Sequence, residues 1–280
     1  MVFKLCLPAG DSEGDQRAVA RHGKKMLSAL TFNMQNGQVW DEENPDQAEV
    51  SLSRAIEFLR EQNADIIFLQ EVERGYDGGQ QIEPPPHYER LKNDLAEYDS
   101  VFGYPRPNRM EIPFGLGLAI FSKTALRNFY RKDLPPAEIA FEFAGVLRKP
   151  SHRLMIGAET QINGRSLRLI NTHLQAFFMI NASSNDHHTQ RDRVELELRR
   201  CTDATLLGGD FNCAPGESLI EQFKRAGFRP SQNAKATWRR MPFVVDHIFY
   251  NDALRLEACS VIPTKASDHH AVRSQFSFAE

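Results

Sequence analysis

The chain has 280 residues, 41% of them hydrophobic and 25% charged. That is the balance of a globular protein, and a chain this long can bury roughly three-quarters of the surface it exposes when unfolded, without disulfide or metal staples. The net charge of −3 and pI near 6.3 lack the basic footprint of a protein held on nucleic acid by electrostatics, although a bound metal can supply the positive charge a phosphate needs.

Residues 9–23 are small and polar, and 1–24 read as a flexible lead-in to a single domain over 25–280. A strand is expected at 26–32. Apolar residues at helical spacing predict a helix over 48–62. The run at 65–69 is continuously apolar, the mark of a strand buried on both faces. Glycines and prolines make 74–86 a loop, and 87–98 reads as a helix. Strands follow at 117–121, 154–162 and 167–172, the last two joined by an Asn163-Gly164 hairpin turn. Residues 178–190 read as loop, 191–200 as helix, 204–209 as strand and 218–226 as helix. Strands at 244–250, 254–261 and 271–278 close the chain.

Cys6, Cys201, Cys213 and Cys259 form no CxxC pair and no zinc spacing, so reduced thiols are expected. No apolar stretch approaches the roughly 20 residues of a membrane span. The first ten residues lack a signal-peptide core, and the cytoplasm is the expected location.

Several strands end in polar clusters. The chain places Asn33 after the first strand, Gln70-Glu71 after the second, and Asn171-Thr172-His173 after a middle strand. Gly208-Gly209-Asp210-Phe211-Asn212, Val245-Asp246-His247-Ile248 and Ser267-Asp268-His269-His270 follow. Any one of these could be a turn. Together they are harder to dismiss. Glu71 follows five apolar residues, where a carboxylate needs a cation or a donor. Asp210 and Asn212, two apart on an extended segment, would share a face, and the glycines before them would let a ligand approach the backbone. Carboxylates, asparagines and histidines make a hard donor set suited to Mg²⁺ or Mn²⁺. Such a set serves phosphoryl transfer: the metal neutralises phosphate oxygens, an acid handles water, and histidines stabilise charge. Neither a Gly-x-x-x-x-Gly-Lys-Ser/Thr phosphate loop nor a Gly-x-Ser-x-Gly elbow is present, which argues against kinase and serine-hydrolase chemistry.

In this order the motifs resemble those of the endonuclease/exonuclease/phosphatase superfamily, over about 27–278. The resemblance implies an α/β fold: a four-layered sandwich of two packed mixed β-sheets flanked by helices, with the site at one end. It implies that Glu71 is the principal metal ligand, that Asn33 contacts the metal shell or phosphate, and that Asp268 is a further metal or site-shaping acid. It further implies that His173 donates to a phosphate oxygen, Asp210 orients or deprotonates the attacking water, and Asn212 assists on the phosphate. His269 would stabilise the transition state or move a proton, with Asp246 fixing its tautomer. The cofactor would be one or two Mg²⁺ ions, or Mn²⁺. His247, His270 and the His187-His188 pair are expected bystanders, and Trp238 is placed either in the cleft or in packing. Two departures weigh against abasic-site endonucleases: Gln35 stands where they carry an acid, and their Asn-Ala-Gly-x-Arg stretch is missing. The inositol-phosphatase pattern of lysines and arginines around the motifs is also absent.

The expected activity is metal-dependent phosphoester hydrolysis by a monomer, on a phosphodiester, a nucleic acid or a small phosphate ester. A sphingomyelinase-like lipid phosphodiesterase is the alternative, with residues 174–180 as an apolar lip toward a lipid headgroup. A catalytically silent binding module on the same fold is the alternative of another class. Loops 74–86, 103–115 and 174–190 are expected to shape the cleft.

Overall fold

The alternating run at the start of the domain becomes β1 (Leu27–Asn33), and the continuously apolar run becomes β2 (Ile66–Gln70), paired parallel to it. These strands belong to a computed structural model that describes residues 26–73, 82–106, 108, 110–112 and 116–280. The expected lead-in, Cys6 and part of the loops 74–86 and 103–115 lie outside the described residues.

The remaining elements are α1 (Leu52–Gln62), α2 (Pro86–Asp94), β3 (Asp99–Gly103), β4 (Leu118–Ser122), β5 (Arg127–Asp133), β6 (Phe141–Phe143), β7 (Val146–Arg148), β8 (Leu154–Ile162) and β9 (Arg165–His173). They continue with α3 (Thr189–Leu198), β10 (Thr205–Asp210), α4 (Leu219–Arg225), β11 (Arg229–Pro230), β12 (Asp246–Tyr250), β13 (Leu254–Ile262) and β14 (Ala271–Phe278). One six-stranded sheet runs β13-β14-β1-β2-β4-β3, the other β11-β12-β10-β9-β8-β5, and β6-β7 form a separate hairpin.

Side-chain alternation builds the layers. Along β1 and β2, Leu27, Ala29, Ile66 and Phe68 point between the sheets, where they meet Ile156, Leu169, Leu206 and Ile248. The alternate residues Leu30, Phe32, Ile67 and Leu69 face outward onto Ile56 and Leu59 of α1 and Leu91 of α2. On the far side, Ile170, Leu207 and Phe249 pack against Val194 of α3 and Phe223 of α4. The result is the four-layered α/β sandwich. The Asn163-Gly164 turn forms as expected, with φ of 55° and 75°, the left-handed pair of a two-residue hairpin. Helix α1 begins later than periodicity suggests, because Val50 pairs with Gln38 in an isolated bridge.

The two glycines of β10 serve the sheets rather than a ligand, against the expectation above. A Cβ on Gly208 would lie 2.3 Å from the Phe68 ring of the facing sheet, and one on Gly209 would lie 2.3 Å from the Thr172 carbonyl oxygen. Beneath the site, Gln70 Nε2 donates to Asn171 Oδ1 at 2.8 Å, and Asn171 Nδ2 donates to the Leu69 and Ala119 carbonyls, tying the two sheets together. Among the described residues, Cys201, Cys213 and Cys259 are free thiols, and no helix is long and apolar enough to cross a membrane.

Candidate active site

Topology brings the polar clusters to one end. Strands β1 and β2 are parallel, so Asn33 and the residue after Gln70 emerge together. Strands β9 and β10 are parallel, with His173 beside Asp210, and β12 runs antiparallel to β10, with Asp246 opposite Asp210. Strand β14 runs antiparallel to β1, which places His269, just before it, at the same end.

The Asn33 amide is the hub. Its Nδ2 donates to Glu71 Oε1 and to Asp210 Oδ2, both at 3.0 Å, and its Oδ1 accepts from the Gln35 N–H. Two carboxylates therefore share one neutral donor. Glu71 sits at φ 52°, an uncommon conformation for a non-glycine residue, and so turns off the end of β2 toward Asp210. Burial raises the Glu71 carboxyl above its usual range, offset in part by the Asn33 hydrogen bond. Burial and the neighbouring Asp246 push Asp210 up to about 7, against the pull of His269 and Asn33.

The two histidines are set apart electrostatically. His269 Nδ1 lies 2.8 Å from Asp246 Oδ2, and its Nε2 faces Asp210 Oδ2 at 3.9 Å. Burial alone would lower this imidazole, but Asp246, aided by Asp268 and Asp210, pushes it up to about 10, so it is a cation at neutral pH. Asp246 is fixed in turn: the Thr237 hydroxyl accepts from its N–H at 3.0 Å. His173 goes the other way, held well below the usual value by burial and by the nearby Arg153 and His269 charges. Asn212 Nδ2 donates to the Leu174 carbonyl at 3.0 Å and faces His173 Nε2 at 3.1 Å. The neutral ring thus accepts at Nε2 and carries its proton on Nδ1.

Asn212 reaches the site, but not by the extended alternation expected of it. Strand β10 stops at Asp210, Asn212 takes φ 45°, and its N–H closes a turn onto Asp210 Oδ1 at 3.0 Å. Asp268 stands at the edge. Its Oδ2 accepts from Trp238 Nε1 at 3.2 Å and Arg240 Nε at 2.9 Å, while Oδ1 faces His269 Nε2 at 3.8 Å. Arg240 also reaches Asp46, bracing the loop after β1 against the site. Of the expected bystanders, His247 is buried between the Gln232 and Val244 carbonyls, away from the cluster.

Arg153, just before β8, went unread in the sequence: its charge acts on Glu71 and Asp210, and no motif marks it. An aromatic rim gathers Trp238 and Phe178 of the expected lip, with Phe243 as its unread member. Phe178 packs against Trp238 and Phe243 at ring separations of 5.7 and 5.4 Å, and Trp238 lies 6.2 Å from the His269 ring. The expected lip is divided: Leu174, Ala176 and Phe177 are buried, while Phe178 is half-buried and Met179 is 66% exposed.

A metal fits this donor set. Glu71, His173 and Asp210 offer ligand atoms within 4.8 Å of one another, as do Asp210, Asp246 and His269. Asp246 Oδ1 is buried without a hydrogen-bond partner, and the Asn33 amide that meets Glu71 and Asp210 brings no charge. Acids so placed gain from a cation.

The sequence profile of the Endonuclease/Exonuclease/phosphatase family matches residues 30–269, and the chain belongs to that family. Members of the family are typically phosphoester hydrolases and generally use divalent metal ions. No curated protein matches the chain in sequence. Solved structures share its fold. An endonuclease/exonuclease/phosphatase from Beutenbergia cavernae is 20% identical, with TM-score 0.68, covering 91% of this chain and 72% of that one. The human Nocturnin catalytic domain with bound sulfate anion is 19% identical, with TM-score 0.62 and coverage of 91% and 95%. A Bacteroides thetaiotaomicron mannosyl-6-phosphatase is 16% identical, with TM-score 0.60 and coverage of 90% and 100%.

Proposed function

We propose that the protein is a Mg²⁺-dependent phosphoester hydrolase. The observation that carries this reading is the pair of carboxylates, Glu71 and Asp210, bridged by the Asn33 amide at 3.0 Å each and flanked by one neutral and one cationic histidine. Glu71 would hold the ion, with Asn33 in its shell and Asp268 shaping the far edge. A bound Mg²⁺ or Mn²⁺ supplies Lewis-acid charge at the phosphate and leaving oxygens.

The chain's own residues do the rest. Asp210, pushed up to about 7, is poised to orient a water molecule and take its proton near neutral pH. The His269 imidazolium, locked by Asp246, donates from Nε2 to a phosphate oxygen as charge develops. Asn212 holds His173 in place beside the same phosphate. The opposed histidine environments follow the general pattern by which one site runs both acid and base chemistry. The sulfate bound to the similarly folded Nocturnin domain is a tetrahedral oxyanion of the kind this site would take.

The rim of Phe178, Trp238 and Phe243 favours a second reading within the same chemistry, a lipid phosphodiesterase whose substrate lays an apolar group across it. An activity panel separates the readings: plasmid DNA, RNA, phosphoinositides, sphingomyelin, nucleotides and small phosphate esters, each with Mg²⁺ and with excess chelator. Metal-dependent turnover of any of them supports the hydrolase. Folded protein that turns over none of them and binds no Mg²⁺ would instead make the chain a silent binding module.

A further inference from the structure

Arg153 is 6% exposed, and among the described residues it has no carboxylate within ion-pair distance. Its Nε and Nη2 both donate to one neutral atom, Gln175 Oε1, at 3.3 and 3.2 Å. Its Nη1 is buried with no hydrogen-bond partner. The nearby Glu111 is engaged elsewhere, accepting from the His152 N–H at 2.6 Å and from Asn108 Nδ2 at 2.9 Å. Gln175 is itself held in place, its N–H donating to Gln190 Oε1 at 3.1 Å. The guanidinium is therefore fixed in orientation by neutral groups and left with two free N–H donors on one nitrogen.

A buried cation without a partner is costly, and folds retain one where something outside the fold completes it. Arg153 acts electrostatically on Glu71, Asp210 and His173, and His173 Nδ1 is a second buried polar atom without a partner. A planar guanidinium with paired N–H donors matches the geometry of a tetrahedral oxyanion better than any other side chain does.

We infer that Arg153 is the anion-recognition residue of this site, its Nη1 donating to a non-bridging oxygen of the substrate phosphate. The inference rests on reading the site as one that takes a phosphoester. The alternative is that Arg153 only offsets the charge of Glu71 and Asp210 from a distance, as part of the fold.

The test is calorimetric titration of inorganic phosphate into wild type, Arg153→Met and Arg153→Lys, with and without Mg²⁺, alongside thermal melts and hydrolysis of bis-p-nitrophenyl phosphate. Arg153→Met should weaken phosphate binding at least tenfold while melting no lower than wild type, because it removes an unpaired buried charge. Arg153→Lys should fold, bind phosphate several-fold more weakly, and raise KM more than it lowers kcat. Phosphate affinity within twofold of wild type in Arg153→Lys and in any folded Arg153→Met overturns the inference, as does a wild type that binds no phosphate in either condition. Metal-dependent hydrolysis that survives Arg153→Met with unchanged kcat/KM overturns the inference and leaves the hydrolase standing. Phosphate binding lost in Arg153→Met, in a protein that hydrolyses nothing, overturns the hydrolase and leaves the inference standing.

Discussion

His269 Nδ1 lies 2.8 Å from Asp246 Oδ2, and both residues are buried. The pair makes the metal-free protein sensitive to alkali. The folded-state pKa of His269 is raised to about 10, above the ordinary imidazole value of 6.5. Its contribution to stability is therefore fully present below about pH 6.5 and is lost as pH rises toward 10. The melting temperature in chelator should fall across that window, and Asp246→Asn should flatten the fall. A pH profile unchanged by Asp246→Asn would show that the pair does not hold the proton.

Glu71 and Asp210 predict a loss in the same direction but in a lower pH window. Both carboxyls are raised by burial, Asp210 to about 7, so their contribution is present at low pH and is lost as pH rises from the ordinary carboxylate range through about 7. A bound cation relieves that loss. Mg²⁺ should therefore raise the melting temperature more at pH 8 than at pH 5, by an amount that follows mass action, about 2.7 kcal/mol at a hundredfold excess over Kd. Differential scanning fluorimetry at the two pH values checks this.

Asn33→Ala removes the donor shared by the two acids. Turnover should drop by about 10² to 10³, the cost typical of deleting one preorganised donor from a water-excluded site. Stability without metal should fall as well, since half-buried Glu71 and buried Asp210 each lose a hydrogen bond. Steady-state kinetics and melting curves on the same preparation test both statements.

Gly208→Ala drives a methyl group to 2.3 Å from the Phe68 ring across the sheet interface. A loss of about 1–3 kcal/mol is expected, as for other overpacked cores, and Phe68→Leu should restore part of it. Urea unfolding of the single and double variants measures the coupling.

Much of this architecture could be read from the residues. Continuous or alternating apolar runs marked β1, β2, β8, β9 and β10 to within a residue or two, because buried strands leave a strong pattern. Strands β3 and β5 were missed: they are edge strands with mostly polar, half-exposed residues. The short hairpin β6-β7, exposed at Val146 and Leu147, left no pattern either. The cluster residues stood out because carboxylates and histidines after apolar strands are costly to bury. Arg153 did not, since a lone arginine before a strand looks like any surface cation. Its burial depends on Gln175 and Gln190, which only the tertiary fold brings to it. Asn212 was placed correctly for the wrong reason: a left-handed turn, and not strand alternation, carries it back to Asp210.

The proposed hydrolysis requires a divalent cation held by Glu71. The most direct measurement is Mg²⁺ titration by calorimetry on wild type and Glu71→Gln, paired with hydrolysis of bis-p-nitrophenyl phosphate. Wild type should bind Mg²⁺ and turn over only with it, while Glu71→Gln should stay folded, lose measurable Mg²⁺ binding and lose turnover. Equal hydrolysis in excess chelator, or wild-type Mg²⁺ affinity in Glu71→Gln, would contradict the claim.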